Sequence, residues 1–327
     1  MKGDPILPFP AISRDKAMTQ ETLSILTEAQ NSAQPLRGLD LSGQTLAKVR
    51  LAGLVFDHCS FVGVTFSDSQ LVGCVFLNCD LSKANFVGAS FHQVRFETPL
   101  IKVDFTRASL TSCFWANGDF KEVIFNRASI FDCDFGQKPQ FVKASLSSTV
   151  LANCRFGQTL FQGCALDLLV IRETVFSSLS LFNSMAIQIQ ACNLRLPGFS
   201  AQGSDLTLAN FSSSDLTGAN LTGARLEGAF FKEALLVGAN LSGAKAAKAI
   251  FKGADLRKAD LSKFVAPMAD FSLANLTAAN LTGVDLSGAK FHRAQGLDLT
   301  SVANAQGVSF TDEDLARAED FRPSLVD

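Results

Sequence analysis

From Leu36 to Phe310 the apolar residues recur with a period that suits neither an α-helix, at about 3.6, nor a plain strand, at 2. From Ala219 the chain reads Ala-Asn-Leu-Thr-Gly, Ala-Arg-Leu-Glu-Gly, Ala-Phe-Phe-Lys-Glu, Ala-Leu-Leu-Val-Gly, Ala-Asn-Leu-Ser-Gly. A small residue returns every five positions, and Leu or Phe follows it two places later. The same spacing holds at Ala254/Leu256, Ala259/Leu261, Ala269/Phe271, Ala274/Leu276, Ala279/Leu281, Val284/Leu286 and Ala289/Phe291. A coil that turns a corner every five residues satisfies this pattern. Large and small residues then both point inward, four units close one square turn, and successive coils bond backbone to backbone about 4.8 Å apart.

The first half keeps this frame with more varied residues. Its large positions run from Leu41 in steps of five to Phe96 and Ile101, then lose one residue to give Phe105, Leu110, Trp115, Phe120, Phe125, Ile130 and Phe135. An extra residue near Pro139 restores the frame at Phe141, which continues through Phe161 to Leu181. Residues 182–203 fit it poorly, with Pro197, several Gln and irregular apolar spacing, so an irregular coil or protruding loop is expected there. Coils of twenty residues over 36–310 make about 13 or 14 turns and a rod of roughly 65 Å. Because each coil touches only its neighbours, both ends need covers. Thr19 to Ser32 reads as a short helix carrying Leu23 and Leu26 behind an N-cap, and Thr311-Asp-Glu-Asp314 as the start of a C-terminal acidic helix bearing Leu315 and Phe321.

These repeats resemble the pentapeptide-repeat family, whose motif is a small residue, Asp or Asn, Leu or Phe, a polar residue, then often Gly. The resemblance covers 36–310 and is most specific at 204–291. It implies an all-β fold, a right-handed quadrilateral parallel β-helix, with helical caps. The expected organisation is an N-terminal segment with its helix (1–35), a first repeat segment (36–181), the irregular stretch (182–203), a second repeat segment (204–310) and the acidic cap (311–327).

Composition narrows the function. The 327 residues are 47% hydrophobic and 18% charged, with 29 Phe, one Trp and no Tyr, which suits aromatics buried in a dry interior. Charge is balanced at −2 overall, and also locally, with 13 basic and 12 acidic residues over 36–180 and 10 and 9 over 204–310. Such a body has no footprint for phosphate backbones and lacks the acidity of a DNA mimic. The tail alone is biased, with six acidic and two basic residues after Thr311. The first ten residues hold no apolar run fit for a signal peptide, and no stretch of 18 apolar residues is present. Cytoplasm is therefore the expected compartment, with signal-independent secretion left open.

Candidate chemistry is sparse. By this register all eight cysteines (59, 74, 79, 113, 133, 154, 164, 192) take the small inward position, with no Cys-x-x-Cys and no nearby His, so they read as buried apolar residues rather than metal ligands. His58, His92 and His292 follow large inward residues and should face solvent. Asn220, Asn240, Asp260 and Asn280 lie twenty apart and should form one outward ladder, either bonding their own backbone at corners or offering a polar recognition strip. Basic residues gather from Arg225 to Lys263, with Arg225/Lys245 and Lys232/Lys252 expected to stack, but Glu227, Glu233, Asp255 and Asp260 are interleaved.

The reading is a non-enzymatic scaffold or adaptor that binds another protein, with no catalytic site, cofactor, metal, small-molecule substrate, nucleic acid or membrane span expected, and with a homodimer allowed. Met185, Ile187, Ile189, Arg195, Leu196 and Phe199, in the stretch where the frame fails, are the expected partner-binding residues. The opening Leu36-Arg-Gly-Leu-Asp-Leu-Ser-Gly behind a short helix is similar to pentapeptide proteins associated with type VI secretion. The alternative that the resemblance implies is a DNA mimic that binds gyrase or topoisomerase, as in quinolone resistance.

Overall fold

A single repeat explains the architecture. In Asn220–Ala224 every backbone N–H has an acceptor. Asn220 N donates to Phe199 O one coil back (2.7 Å), while Leu221 N and Gly223 N donate to Asn240 O and Ser242 O one coil on (2.7 and 3.0 Å). Ala224 N closes the corner on Leu221 O (3.0 Å). The fifth, Thr222 N, donates to Oδ1 of Asn220 (3.1 Å). The Asn or Asp of the repeat is thus the acceptor for the one amide the coils cannot pair, and a buried amide without a partner is costly. The corner holds Gly223 at φ +63°, in the left-handed region where a side chain would be strained.

The computed structural model describes residues 19–116, 118–196, 198–297 and 306–310. Repeats of this kind form a parallel β-solenoid with four corners per turn. It divides into two compact units, Met1–Ser177 and Ser178–Asp327.

In the first unit short parallel strands stack in register. Val55–Asp57 pairs with Val75–Leu77 and then Arg95–Glu97, and Arg50–Ala52 with Gln70–Val72 and then Ser90–His92. Phe56, Phe76, Phe96, Trp115 and Phe135 form one interior column with ring centroids 5.2, 5.4, 5.4 and 4.4 Å apart. A helix, α1 (Gln20–Ser32), precedes the first coil, with Thr19 Oγ1 capping Thr22 N at 3.0 Å. Its buried side is Thr22, Leu26 and Ala29, and Thr22 Oγ1 donates to Gln44 Oε1 in the first coil (3.1 Å). Leu23 is exposed, because the i, i+4, i+7 stripe that faces the coil begins at Thr22. The expected C-terminal helix lies outside the described residues.

The frame slips where the sequence places it, with one correction. Register shortens from twenty residues to nineteen over the pairs Asn85↔Asp104 to Phe96↔Trp115 and lengthens to twenty-one at Phe120↔Phe141. The deletion falls one repeat earlier than expected, so the large inward residue is Leu100, while Ile101 is 37% exposed. Pro99 has no N–H for the carbonyl of Cys79, and the Thr98 hydroxyl donates to that carbonyl instead. The insertion is a bulge over 136–139.

In the second unit the frame does not fail at 182–203. Bridges Ser180↔Ser200, Met185↔Asp205, Gln190↔Asn210 and Arg195↔Asp215 continue the twenty-residue register. What changes is the bulk on the two inward rows. Ile189, Leu194 and Phe199 stand on the small row beside Ala191, Leu196 and Ala201 on the large row, and all are buried. Large and small have exchanged places, which keeps the coil filled while erasing the small–x–large signature. Phe264 beside Ala266 repeats the exchange.

Candidate functional site

The six residues expected to bind a partner separate into two groups. Ile189, Leu196 and Phe199 are core, at 2%, 3% and 0% exposure, because the chain there is an ordinary coil, and they are unavailable for contact. Met185 is 51% exposed and Ile187 half-buried two residues on, at the next corner. Arg195 is exposed but belongs to a different face from Met185, so the six do not make one patch.

The four faces of the second unit can be read from their outward columns. One face carries Met185, Asp205, Arg225, Lys245, Val265 and Asp285; the next Gln190, Asn210, Phe230, Ile250, Asp270 and Lys290. The third carries Arg195, Asp215, Leu235, Asp255 and Asn275, and the fourth Ser200, Asn220, Asn240, Asp260 and Asn280. The fourth is a polar ladder whose acceptors are spent on its own backbone: Asn220, Asn240, Asp260 and Asn280 each take the amide two residues on, and Asn280 Nδ2 also donates to Asp260. Those amide and hydroxyl donors hold the Asp260 carboxyl below its ordinary value. On the third face Arg257 grips Asp255 at 2.6 Å, which lowers that carboxyl as well.

The Met185 face differs. Arg225 is shared between Asp205 (3.6 Å) and Glu227 (3.8 Å), so the expected Arg225/Lys245 stack is present but half neutralised. Around it stand apolar side chains that the coil does not use: Met185, Leu208, Val265 and, 61% exposed, Met268. Gly228 makes room for Leu208, whereas Met268 would be in ordinary contact with a side chain at 288. A Cβ at 228 would meet Leu208 Cδ2 at 2.8 Å, and one at 288 would meet Met268 Cγ at 3.5 Å. The result is an apolar ridge at the corner between the Met185 and Phe230 faces, interrupted by the exposed Lys248 between Leu208 and Met268. Sequence reasoning named Met185 but passed over Leu208, Val265 and Met268, although the signal was available. Val265 and Phe230 occupy the outward slot that Asn or Asp usually fills, in repeats whose inward residues are otherwise in frame.

The remaining candidate chemistry is structural. Seven cysteines are buried and free, but Cys192 is half-exposed beside the inward Ala191, a correction that follows from the row exchange. Cys113, Cys133 and Cys154 stack, with Cys113 N donating to Cys133 Sγ at 3.3 Å. Burial pushes the Cys164 thiol up to about 11. His58 is exposed and contacts Asp57 (2.6 Å), and His92 is exposed, but His292 is only 8% exposed, against the expectation. No group of three or more His, Cys, Asp or Glu among the described residues is arranged to hold a metal ion. No helix among them is long and apolar enough to cross a membrane.

Comparison with known proteins places these coils. The family model described as Pentapeptide repeats matches in eight copies, over residues 59–97, 200–232, 227–262 and 268–295. No curated protein matches the chain. Among solved structures, a pentapeptide repeat protein from the thylakoid lumen of Arabidopsis thaliana is 38% identical over 30% of this chain and 61% of its own, with a TM-score of 0.24. HetL, a pentapeptide repeat protein involved in heterocyst differentiation regulation in the cyanobacterium Nostoc, is 18% identical over 80% of this chain and 94% of its own, with a TM-score of 0.27. QnrB1, a plasmid-mediated fluoroquinolone resistance protein, is 18% identical over 84% and 95%, with a TM-score of 0.22.

Proposed function

Because the chain is a pentapeptide-repeat protein, we propose that it acts as a non-catalytic scaffold that captures another protein on the apolar ridge of its second unit. The observation that carries this reading is the exposure of Met185, Leu208, Val265 and Met268 at one corner, next to a polar ladder (Asn220, Asn240, Asp260, Asn280) whose acceptors are taken by its own backbone. Long, unbranched Met side chains adapt to a partner's surface and bury well when covered. The ends of the ridge lie four coils apart, about 19 Å at strand spacing, a length that suits an extended or helical segment. An accessory role in secretion stays within this reading, on the similarity of Leu36–Gly43 and its preceding helix. The DNA-mimic alternative finds no support in the outward charges, since Arg225 and Lys245 sit where a mimic would need carboxylates.

The test is capture from the source cell with the wild type and with a Leu208→Asp/Met268→Asp variant, quantified by mass spectrometry. Both positions are exposed, so the variant should keep its melting temperature and lose its captured protein by tenfold or more. A partner retained at wild-type level would remove the ridge from the interface. Inhibition of DNA gyrase supercoiling by the purified protein would favour the mimic instead.

A further inference from the structure

The charges around the apolar ridge do not balance. Lys245 stands on the Met185 face between Arg225 and Val265, and Lys248 turns the corner between Leu208 and Met268. Lys252 lies just beyond, on the Phe230 face, two residues past the half-buried Ile250. All three lysines are exposed, and no carboxylate among the described residues is within ion-pair reach of them. The acids of these two faces are engaged elsewhere. Asp205 and Glu227 share Arg225, and Glu233 holds Lys232 at 3.4 Å. Asp270 accepts the Ser272 amide (2.9 Å), and Asp285 the amide and hydroxyl of Ser287 (3.1 and 2.7 Å). The open positive charge therefore sits among the exposed apolar side chains.

Leu208, Lys248 and Met268 stand on one line along the corner. Leu208 N, Gly228 N and Lys248 N each donate to a carbonyl one coil on, at Glu227, Ala247 and Pro267 (2.9, 2.8 and 2.9 Å). All three side chains are held at left-handed corners, with φ +58°, +59° and +59°. Leu208 to Met268 is three coils, about 14 Å. A partner that touches both must cross Lys248. The aliphatic stem of that lysine can lie under an apolar contact, but an ammonium covered without a counter-charge loses its water and weakens the complex. A carboxylate placed between two apolar side chains removes that penalty, and Lys245, three residues earlier in the same coil, takes a second one. About nine residues of helix span 14 Å, so apolar residues two or three turns apart with carboxylates between them match the line. A basic segment would meet like charge at the same place.

Resting on the reading of the ridge as a capture surface, we propose that its occupant is an acidic amphipathic segment of another protein. Its apolar side chains cover Leu208, Val265 and Met268, and its carboxylates reach Lys245 and Lys248. Lys252 extends the positive field toward the Phe230 face. Apolar contact then holds the segment, while charge selects it against neutral and basic competitors. Three lysines around an apolar centre fall short of the basic cluster that an anionic lipid surface or a phosphate backbone needs.

The experiment is selection from a random library of displayed peptides, each long enough to span the line, against the full chain. It is run in parallel on the Lys245→Glu/Lys248→Glu, Lys245→Gln/Lys248→Gln and Leu208→Asp/Met268→Asp variants, each shown to keep the wild-type melting temperature. The wild type should enrich peptides that are net negative and carry two separated apolar residues. The best of these, made as a synthetic peptide, should bind at least tenfold more weakly to the Glu variant and severalfold more weakly to the Gln variant or in high salt. The Glu variant should enrich neutral or basic peptides instead, and Leu208→Asp/Met268→Asp should lose the peptide altogether. Enriched peptides without an acidic bias, or a bias that charge reversal leaves unchanged, would overturn the proposal. The ridge itself would survive that result as long as Leu208→Asp/Met268→Asp still abolished binding. Peptides held equally well by that variant, or no enrichment at all, would sink both readings. Phosphatidylserine vesicles or single-stranded RNA bound through the same lysines, with no acidic peptide selected, would reassign those lysines and overturn the proposal as well.

Discussion

The indole of Trp115 lies flat on the ring of Phe135, centroids 4.4 Å apart and planes at 14°, both inside the segment whose frame is displaced by one residue. The indole is fully buried, and its Nε1–H has no hydrogen-bond partner among the described residues. Truncation to Ala should cost about 3–5 kcal/mol, as for a large core aromatic. Trp115→Phe should be far milder, within about 1 kcal/mol of wild type, because removing an unsatisfied donor relieves about 1–3 kcal/mol and offsets the smaller ring. Trp emission should be blue-shifted and resist iodide. Denaturant melts of the two variants, and a quenching titration of the wild type, check each part.

The column Phe56 to Phe135 could be drawn from sequence because the five-residue spacing survives a deletion as long as the inward residues stay large. The slip itself was misplaced by one repeat. Leu100 and Ile101 are adjacent and equally apolar, and only the pairing of Leu100 with Phe120 decides which points inward. The stretch 182–203 was misread for a different reason. A search for small–x–large cannot see Ile189/Ala191 or Phe199/Ala201, yet the volume of each pair is preserved. Counting volume per repeat instead of residue class would have kept the frame. It would also have moved Cys192 off the inward row and left Met185 as an outward apolar residue in an otherwise regular coil. The burial of His292 had no sequence signal, because the repeat puts that residue on an outward position.

The bulge at 136–139 depends on its neighbours above and below. A Cβ on Gly157 would stand 1.8 Å from Gln137 O, and one on Gly118 would stand 2.5 Å from Pro139 Cα. Both obstacles are backbone, so neither can swing aside. Gly157→Ala should destabilise the first unit by more than about 3 kcal/mol, whereas Gly243→Ala, with φ +64° but nothing within 4 Å, should cost only about 1 kcal/mol. Similar losses in both variants, measured by urea melts, would contradict a bulge held by the coil above it.

The exchanged rows make a test of packing by volume. Phe199→Ala leaves two small residues in one repeat and should cost about 3–5 kcal/mol, while Ala201→Phe alone overpacks the coil by about 1–3 kcal/mol. Combining them restores the commoner order of the repeat. The double variant should be more stable than the sum of the single losses by at least about 1 kcal/mol, since the two side chains share one space. Strict additivity in a double-mutant cycle would show that the rows are independent.

The thiols divide by burial, and so should their reactivity. Cys192, half-exposed, should react with a maleimide at neutral pH as a single fast equivalent, and the seven buried thiols only in denaturant. Cys164 adds a pH dependence whose direction follows from its surroundings. Burial raises the folded thiol from 9.0 to about 11, since the thiolate would sit in the dry interior facing backbone carbonyls at Phe141 and Gln162. Below pH 9 the thiol is protonated in both folded and unfolded chains, and its contribution is fully present. Above 9 the unfolded chain ionises first, so stability declines as pH rises toward 11 and the contribution is lost beyond it. A two-unit shift corresponds to about 2–3 kcal/mol in full. The melting temperature should therefore fall between pH 9 and 11, and Cys164→Ala, though less stable at pH 8, should fall less steeply. Parallel pH curves for wild type and Cys164→Ala across that window would mean that the thiol ionises as easily in the folded chain as in the unfolded one.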